Sequence, residues 1–254
     1  MSASPPHLEF RNLSAYYGTK QVLRDVSFTV PRNSVIGIIG PANSGKTTLL
    51  KTINRTLDFI PGGRFTGEVL LGGESVTAMR DPNALRRRIG MVFPLPVGLP
   101  LSVYENVAYA PRRMGVTDKG ELDGIVERCL RQSVLWDEVK DRLNLLGTRL
   151  SGGQQQRLTL ARALSLSPEI LCLDEFSIAI DPVTTMRIEE VLKELRRSMT
   201  IVLVTNLVQQ ARRLADNTLF LWRGETVELS PTEVAFSDTP RDRRTYDYVN
   251  GIFG

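Results

Sequence analysis

Two cysteines, one histidine and no long apolar run mark this chain of 254 residues. Each scarcity excludes something. Cys129 and Cys172 sit in unrelated apolar contexts without C-x-x-C spacing, which favours buried free thiols over a disulfide or a cysteine metal site. The single histidine, His7, belongs to a Ser/Pro-rich N-terminal tail, leaving the body of the chain without an imidazole. The longest apolar runs, VIGII and ILCL, fall far short of the roughly 18 residues that cross a bilayer. The start, MSASPPHLEFRN, has no apolar stretch behind a basic end, so the chain reads as soluble and cytosolic. A formal charge of +4, mixed in sign along the whole length, singles out no partner.

What is present is a globular balance, 42% hydrophobic and 24% charged, in a pattern that changes twice. The first third alternates as strands do through LEFRNLSAYYG, VLRDVSFTVP and SVIGIIG, and a helix follows from about Lys46 to Leu57. PGGRFTGEVLLGGE reads as a hairpin region, and DPNALRRRIGMVF as a short helix feeding a buried strand, with Arg86, Arg87 and Arg88 on a solvated face. From about Pro94 to Leu164 the periodicity is helical; from Pro168 strands and helices alternate again, ending in a helical stretch near Pro231 to Phe236. The expectation is one α/β domain with a mostly parallel, doubly wound sheet. Its core would span about residues 1–93 and 165–254, with a helical insertion over about 94–164.

Three motifs carry chemistry. GPANSGKTT (Gly40, Pro41, Ala42, Asn43, Ser44, Gly45, Lys46, Thr47, Thr48) satisfies G-x-x-x-x-G-K-[ST] between an apolar strand and a helix start. The glycines let successive amides face phosphate oxygens, and the helix N-terminus adds its positive end. Lys46 would pair with the β- and γ-phosphates, and the Thr47 hydroxyl would sit on Mg²⁺. EILCLDE is an apolar strand ending in two carboxylates. There Asp174 would hold the metal shell and Glu175 would orient or deprotonate the attacking water. LSGGQQQR opens a second helix with Ser151 as N-cap and Gly152, Gly153 and Gln154 behind it, a second phosphate-binding helix end. One domain cannot easily bring both ends to one γ-phosphate; two copies head to tail can.

With Walker A, LSGGQ and Walker B in this order, the chain resembles the nucleotide-binding subunits of ATP-binding-cassette (ABC) transporters from about Leu8 to Gly254. IPGGRFTGEVLLGGE, LRRRIGMVF, SVYENVAYAPR, LSGGQQQRLTLARAL and DYVNGIFG narrow the resemblance to the ATP-binding subunits of phosphate-specific importers. The resemblance implies a P-loop NTPase cassette with a RecA-like core, an N-terminal antiparallel β region and an inserted α-helical subdomain. It implies ATP and Mg²⁺ as ligands and a place on the cytoplasmic face of the membrane. Its partners would be transmembrane permease subunits, a second ATP-binding subunit and, indirectly, a substrate-binding protein. Tyr17 would stack on adenine, Asp181 would lie in the loop along the dimer interface, and Ser151, Gly153 and Gln154 would touch the partner's ATP.

Two departures weaken the family pattern. Pro94 stands where it has a glutamine contacting metal and water, and Asn206 where it has a switch histidine. Phe176 replacing the proline of D-E-P is milder. Asparagine can still donate toward a γ-phosphate, but it is always neutral. Losing one preorganised contact slows turnover roughly 10²- to 10³-fold. Two readings follow, a working but slowed importer ATPase and a degenerate cassette serving a more active paralogue. Intact Glu175 and LSGGQ favour the first. A soluble cassette acting on nucleic acid or the ribosome fits less well, because those usually carry two cassettes or long coiled coils and this chain has room for one domain.

Overall fold

A computed structural model describes residues 6–252. The Ser/Pro-rich start, residues 1–5, and the last two residues of DYVNGIFG lie outside the described residues. Strands β1 (Leu8–Tyr17), β2 (Lys20–Val30), β4 (Gly63–Leu71) and β5 (Glu74–Ser75) form an antiparallel sheet in the order β2-β1-β4-β5. Half-burial dictates their alternation: along β2, buried Val26, Phe28 and Val30 alternate with exposed Asp25, Ser27 and Thr29. The second sheet runs β10-β9-β3-β8-β7-β6, with β3 (Val35–Ile39), β6 (Ile89–Val92), β7 (Ile170–Asp174), β8 (Thr200–Val204) and β9 (Asn217–Trp222) parallel and β10 (Glu225–Pro231) antiparallel at the edge. Strands β3, β7 and β8 are buried at every position, and this is why they read as short continuous apolar runs.

Helix α1 (Lys46–Ile53) packs between the sheets through Leu49, Leu50 and Ile53. It is shorter than the expected Lys46–Leu57. Asn54 caps it, Arg55 turns left-handed at φ 58°, and residues Thr56–Phe59 make a separate 3₁₀ turn. Short α2 (Pro82–Arg88) starts on Asp81, which accepts from the Asn83 amide. Between β6 and β7 stand α3 (Val103–Arg113), α4 (Lys119–Gln132), α5 (Trp136–Val139) and α6 (Gly152–Leu164). Ser102 and Asp118 cap α3 and α4, and Ser151 and Gln154 form a capping box on α6. A second apolar core joins these helices to the other face of the parallel sheet, with Phe176 fully buried in it. Helices α7 (Pro182–Leu195), α8 (Val208–Leu214), α9 (Thr232–Ala235) and α10 (Arg243–Val249) complete the chain. Cys129 and Cys172 are free and buried, as their contexts suggest. No helix of the described residues is long and apolar enough to cross a membrane.

Two sequence expectations need correction. His7 is packed rather than part of a loose tail, with only 2% of its surface exposed where the parallel strands begin. Glu169 can only accept, so Nε2–H donates to Glu169 Oε2 at 3.3 Å and Nδ1 accepts from the Thr200 hydroxyl at 2.7 Å. Arg88 completes the group with a two-pronged bond to Glu169 at 2.7 and 3.2 Å. The arginine run is likewise a set of ties more than a solvated face. Arg86 donates to the Asn54 and Arg55 carbonyls and lies over Phe59, while Arg87 pairs with Asp81.

Candidate nucleotide site

β3 ends at Ile39, and the chain must turn at once to start α1. Gly40 adopts φ 150°, and a Cβ there would stand 2.0 Å from the Leu221 carbonyl oxygen of β9. Gly45 caps α1 in the left-handed region at φ 105°, so the helix begins with no side chain over its free amides. A bare helix start beside a turning loop is the geometry that receives phosphate oxygens. Lys46 is 5% exposed and donates to the Gly40 and Pro41 carbonyls at 2.7 and 2.9 Å. Burial pushes its ammonium below the usual range, while Glu175 and Asp174 pull the other way. A cation held this close to the loop can transfer to phosphate oxygens without crossing solvent.

Asp174 closes β7 with 1% of its surface exposed, and neither carboxylate oxygen has a hydrogen-bond partner. Burial raises its pKa; the Thr47 hydroxyl lies close enough to pull the pKa back without making a bond of ordinary geometry. A buried carboxylate left without donors wants a cation. A hard oxygen pair from Asp174 and Thr47 suits Mg²⁺, which binds through one or two protein oxygens and keeps the rest for phosphate and water. Glu175 follows in the left-handed region at φ 47°, an uncommon position for a branched-free but bulky acid, fixed by its amide on the Val204 carbonyl at 2.8 Å. The Asn206 amide nitrogen donates to Glu175 Oε1. The donor expected to face a γ-phosphate is therefore engaged by the neighbouring carboxylate.

One cleft of about 520 Å³ is lined by Tyr17, residues 42–48, Glu175 and Asn206; Gly40, Pro41 and Asp174 do not line it, Asp174 lying buried at the end of β7. Tyr17 is half-buried, its hydroxyl 3.1 Å from Thr48 Oγ1. Lys20, Gln21, Val22 and Arg223 also line the cleft and belong to no motif. Only placement reveals them. Pro94 does not line it; the Phe93 carbonyl before it accepts from Gln156 of α6 at 2.8 Å. Nor do Ser151, Gly152, Gly153, Gln154 or Asp181, which start α6 and α7 instead. Ser151 and Asp181 are exposed and each receives an amide of its own helix; Gln154 also donates to Glu138 at 2.8 Å. A cleft of about 730 Å³ between α3 and α4 contains none of the expected site residues.

Comparison with known proteins identifies the family. The profile of the ABC transporter family matches residues 23–177. The chain is 47% identical over 250 residues to the phosphate import ATP-binding protein PstB of Thermotoga maritima, covering 98% of this chain and 99% of that protein. Among solved structures, cbiO1 from Clostridium perfringens, part of the ABC transporter complex cbiONQ, superposes with a TM-score of 0.79 at 23% identity over 92% of this chain and 91% of that one. The ATP-binding cassette MJ0796, in a dimeric post-hydrolysis state with ADP and Pi, gives 0.76 at 28% identity over 89% and 98%. A bacterial Atm1-family ABC exporter with ATP bound gives 0.78 at 22% identity, this chain spanning 40% of that longer one. By family profile, by end-to-end identity and by fold, the chain belongs to the ABC transporter family, as an ATP-hydrolysing cassette subunit.

Proposed function

We propose that the chain energises an importer of inorganic phosphate, working as one of two cassettes beneath transmembrane permease subunits on the inner membrane face. A substrate-binding protein would deliver the cargo. The observation that carries this reading is the 47% identity along the whole chain to a phosphate import ATP-binding protein. In this reading residues 1–93 and 165–254 form the nucleotide-binding lobe and 94–164 the helical lobe. The exposed apolar side chains Leu95, Val97, Tyr109 and Met114 of that lobe offer the permease a surface.

Within the site, Tyr17 stacks on adenine, and the amides of residues 40–48 with Lys46 bind the phosphates. Thr47 and Asp174 would hold Mg²⁺, which would supply charge neutralisation to the phosphates. Glu175 accepts the proton of the attacking water while Asn206 holds its carboxylate in place. Ser151, Gly152, Gly153 and Gln154 of a second copy close over the γ-phosphate, beside Asp181. Without a glutamine at Pro94 or an imidazole at Asn206, turnover is slowed but not abolished. A regulatory role beside a faster paralogue draws support from one contact, the engagement of Asn206 with Glu175.

Reconstitution with the permease tests the reading. ATP-dependent uptake of phosphate, and not of other oxyanions, is expected. Uptake of a different anion, or none with an active permease, refutes the cargo. The site itself is tested by ATP affinity in Lys46→Ala, where undiminished binding would count against it.

A further inference from the structure

The LSGGQ end of α6 is held by a short helix that belongs to no motif. α5 is one turn long and is fixed to the core by Leu135 and Val139, both fully buried. Just before it, Val134 adopts φ 55°, a left-handed conformation costly for a β-branched residue. Arg157 of α6 takes up the carbonyl that this turn presents: its guanidinium, on a residue 6% exposed, donates to Val134 O at 2.6 Å. The same guanidinium makes a two-pronged bond to Glu138 of α5 at 2.6 and 3.1 Å and a longer one to the Gly153 carbonyl at 3.4 Å. Glu138 then reaches the motif itself, its Oε2 accepting from Gln154 Nε2 at 2.8 Å. The other end of that amide, Oε1, accepts from the Ser151 amide at 3.1 Å. Gln154 thus spans from α5 to the N-cap of its own helix.

These bonds decide which groups α6 can offer to a ligand. The Ser151 amide is taken by Gln154 Oε1, the Gln154 amide by Ser151 Oγ at 3.4 Å and the Gln155 amide by the Ser151 carbonyl at 2.8 Å. Among the described residues, the amides of Gly152 and Gly153 and the Ser151 hydroxyl proton are what this helix start leaves for an acceptor from outside. We propose that Glu138 is a positioning residue for the two-copy site, aiming the Gly152 and Gly153 amides by holding Gln154 as a brace across the Ser151 amide. The inference rests on reading residues 151–154 as the end that closes over the partner's γ-phosphate. The physical reason is local. Without its acceptor on α5 the Gln154 side chain is free to leave Ser151, and the capping box opens. A first turn that must be re-ordered as the second copy closes weakens closure without touching the phosphate loop. The Arg157 guanidinium beside Glu138 holds its carboxyl below the usual range, so it stays an acceptor throughout the physiological range.

The experiment uses the full-length chain with Glu138→Gln, which keeps an oxygen for Arg157 and turns an NH₂ toward Gln154, where two donors then meet. MgATP is the probe, and ATP-dependent dimerisation is read by sedimentation in the Glu175→Gln background. Glu138→Gln should weaken the dimer about 5- to 10-fold for each of its two sites, the equivalent of one lost hydrogen bond, and leave the MgATP affinity of the single chain within about twofold. Gln154→Ala should do the same, and the double variant should be no weaker than the weaker single one, because both remove one brace. Additive losses overturn the proposal, as does a fall in MgATP affinity equal to the fall in dimerisation. Gly152→Glu, at an exposed position with open space for a side chain, keeps the helix and puts a carboxylate where the partner's γ-phosphate is expected, so it should abolish the dimer. A native dimer in Glu138→Gln with none in Gly152→Glu refutes this proposal alone; native dimers in both refute the two-copy reading. Should Glu138→Gln fail to fold, the ¹⁵N side-chain amide resonance of Gln154 in the native chain decides. Restricted motion of that amide is expected, and free rotation refutes the brace.

Discussion

The two ends of the parallel sheet treat buried polar groups in opposite ways. Where the strands begin, His7, Thr200, Glu169 and Arg88 satisfy one another over 2.7 to 3.3 Å. Where the strands end, Asp174 has no donor on either oxygen, Ser44 Oγ has no partner, and Glu175 sits in the left-handed region. The same strands, β7 and β8, supply both ends. The difference is that one end is finished by the protein itself and the other only by a ligand. Stability should therefore be sensitive at the beginning of the strands and activity at their end.

The largest expected effect lies at the ligand end. Glu175→Gln should reduce steady-state phosphate release about 10²- to 10⁴-fold, the range of a lost general base. ATP binding should persist, and an ATP-dependent dimer should become visible by sedimentation. A variant that stays monomeric with ATP, even beside the permease, sinks the two-copy site. Next, Asn206→His should speed turnover about 10-fold, and Pro94→Gln should add to it, since each restores a contact of the transition state. The two need not add, because both act on one γ-phosphate. No gain in the double variant at unchanged affinity would mean the site is rebuilt around asparagine and proline.

Smaller effects sharpen the contrast. Asp174→Asn removes a buried carboxylate that has no hydrogen-bond donor and only the through-space attraction of Lys46 and Lys51, so without Mg²⁺ or nucleotide it should raise unfolding stability by about 1 kcal/mol while hydrolysis collapses. His7→Ala should do the reverse, lowering stability by about 1–2 kcal/mol in denaturant titration and leaving MgATP affinity native. Equal signs for the two variants would break the comparison. The smallest effect is on pH. Burial holds the folded pKa of His7 below its ordinary 6.5, so the unfolded chain takes up a proton that the folded chain resists. The His7 contribution is full above about pH 6.5 and is lost as pH falls through the lowered folded value. Glu169, depressed chiefly by Arg88, loses its share at more acidic pH. His7→Gln should therefore flatten the fall in thermal midpoint below about pH 6.5 relative to the native chain.

Much of this was legible in the sequence where one residue type has one physical use. VIGII, ILCLD and TIVLV could only be fully buried strands, and a glycine-lysine loop between strand and helix has few other purposes. The rest depended on contacts distant in the chain. Helix α10 was missed because its apolar face is little more than Tyr248 and Val249, and Glu228 holds it by polar bonds that leave no periodicity. Arg223 enters the cleft because the Gly224 amide ties its turn to the Ser44 carbonyl at 3.0 Å, a pairing across 180 positions. His7 looked like tail because its partners, Glu169 and Thr200, lie more than 160 residues away. The capping box of Ser151 and Gln154 was anticipated as an N-cap, but its tie to Glu138 was not.

The two thiols give the molecule an experimental convenience. Cys129 and Cys172 are wholly covered, and burial raises both pKa values, so neither presents the thiolate that labelling reagents attack. The native chain is in that sense already blank. A single Arg187→Cys on the exposed side of α7 would carry the only reactive sulfur of each copy. Spin labels placed there would report one copy-to-copy distance, free of background, through every stage of a nucleotide cycle.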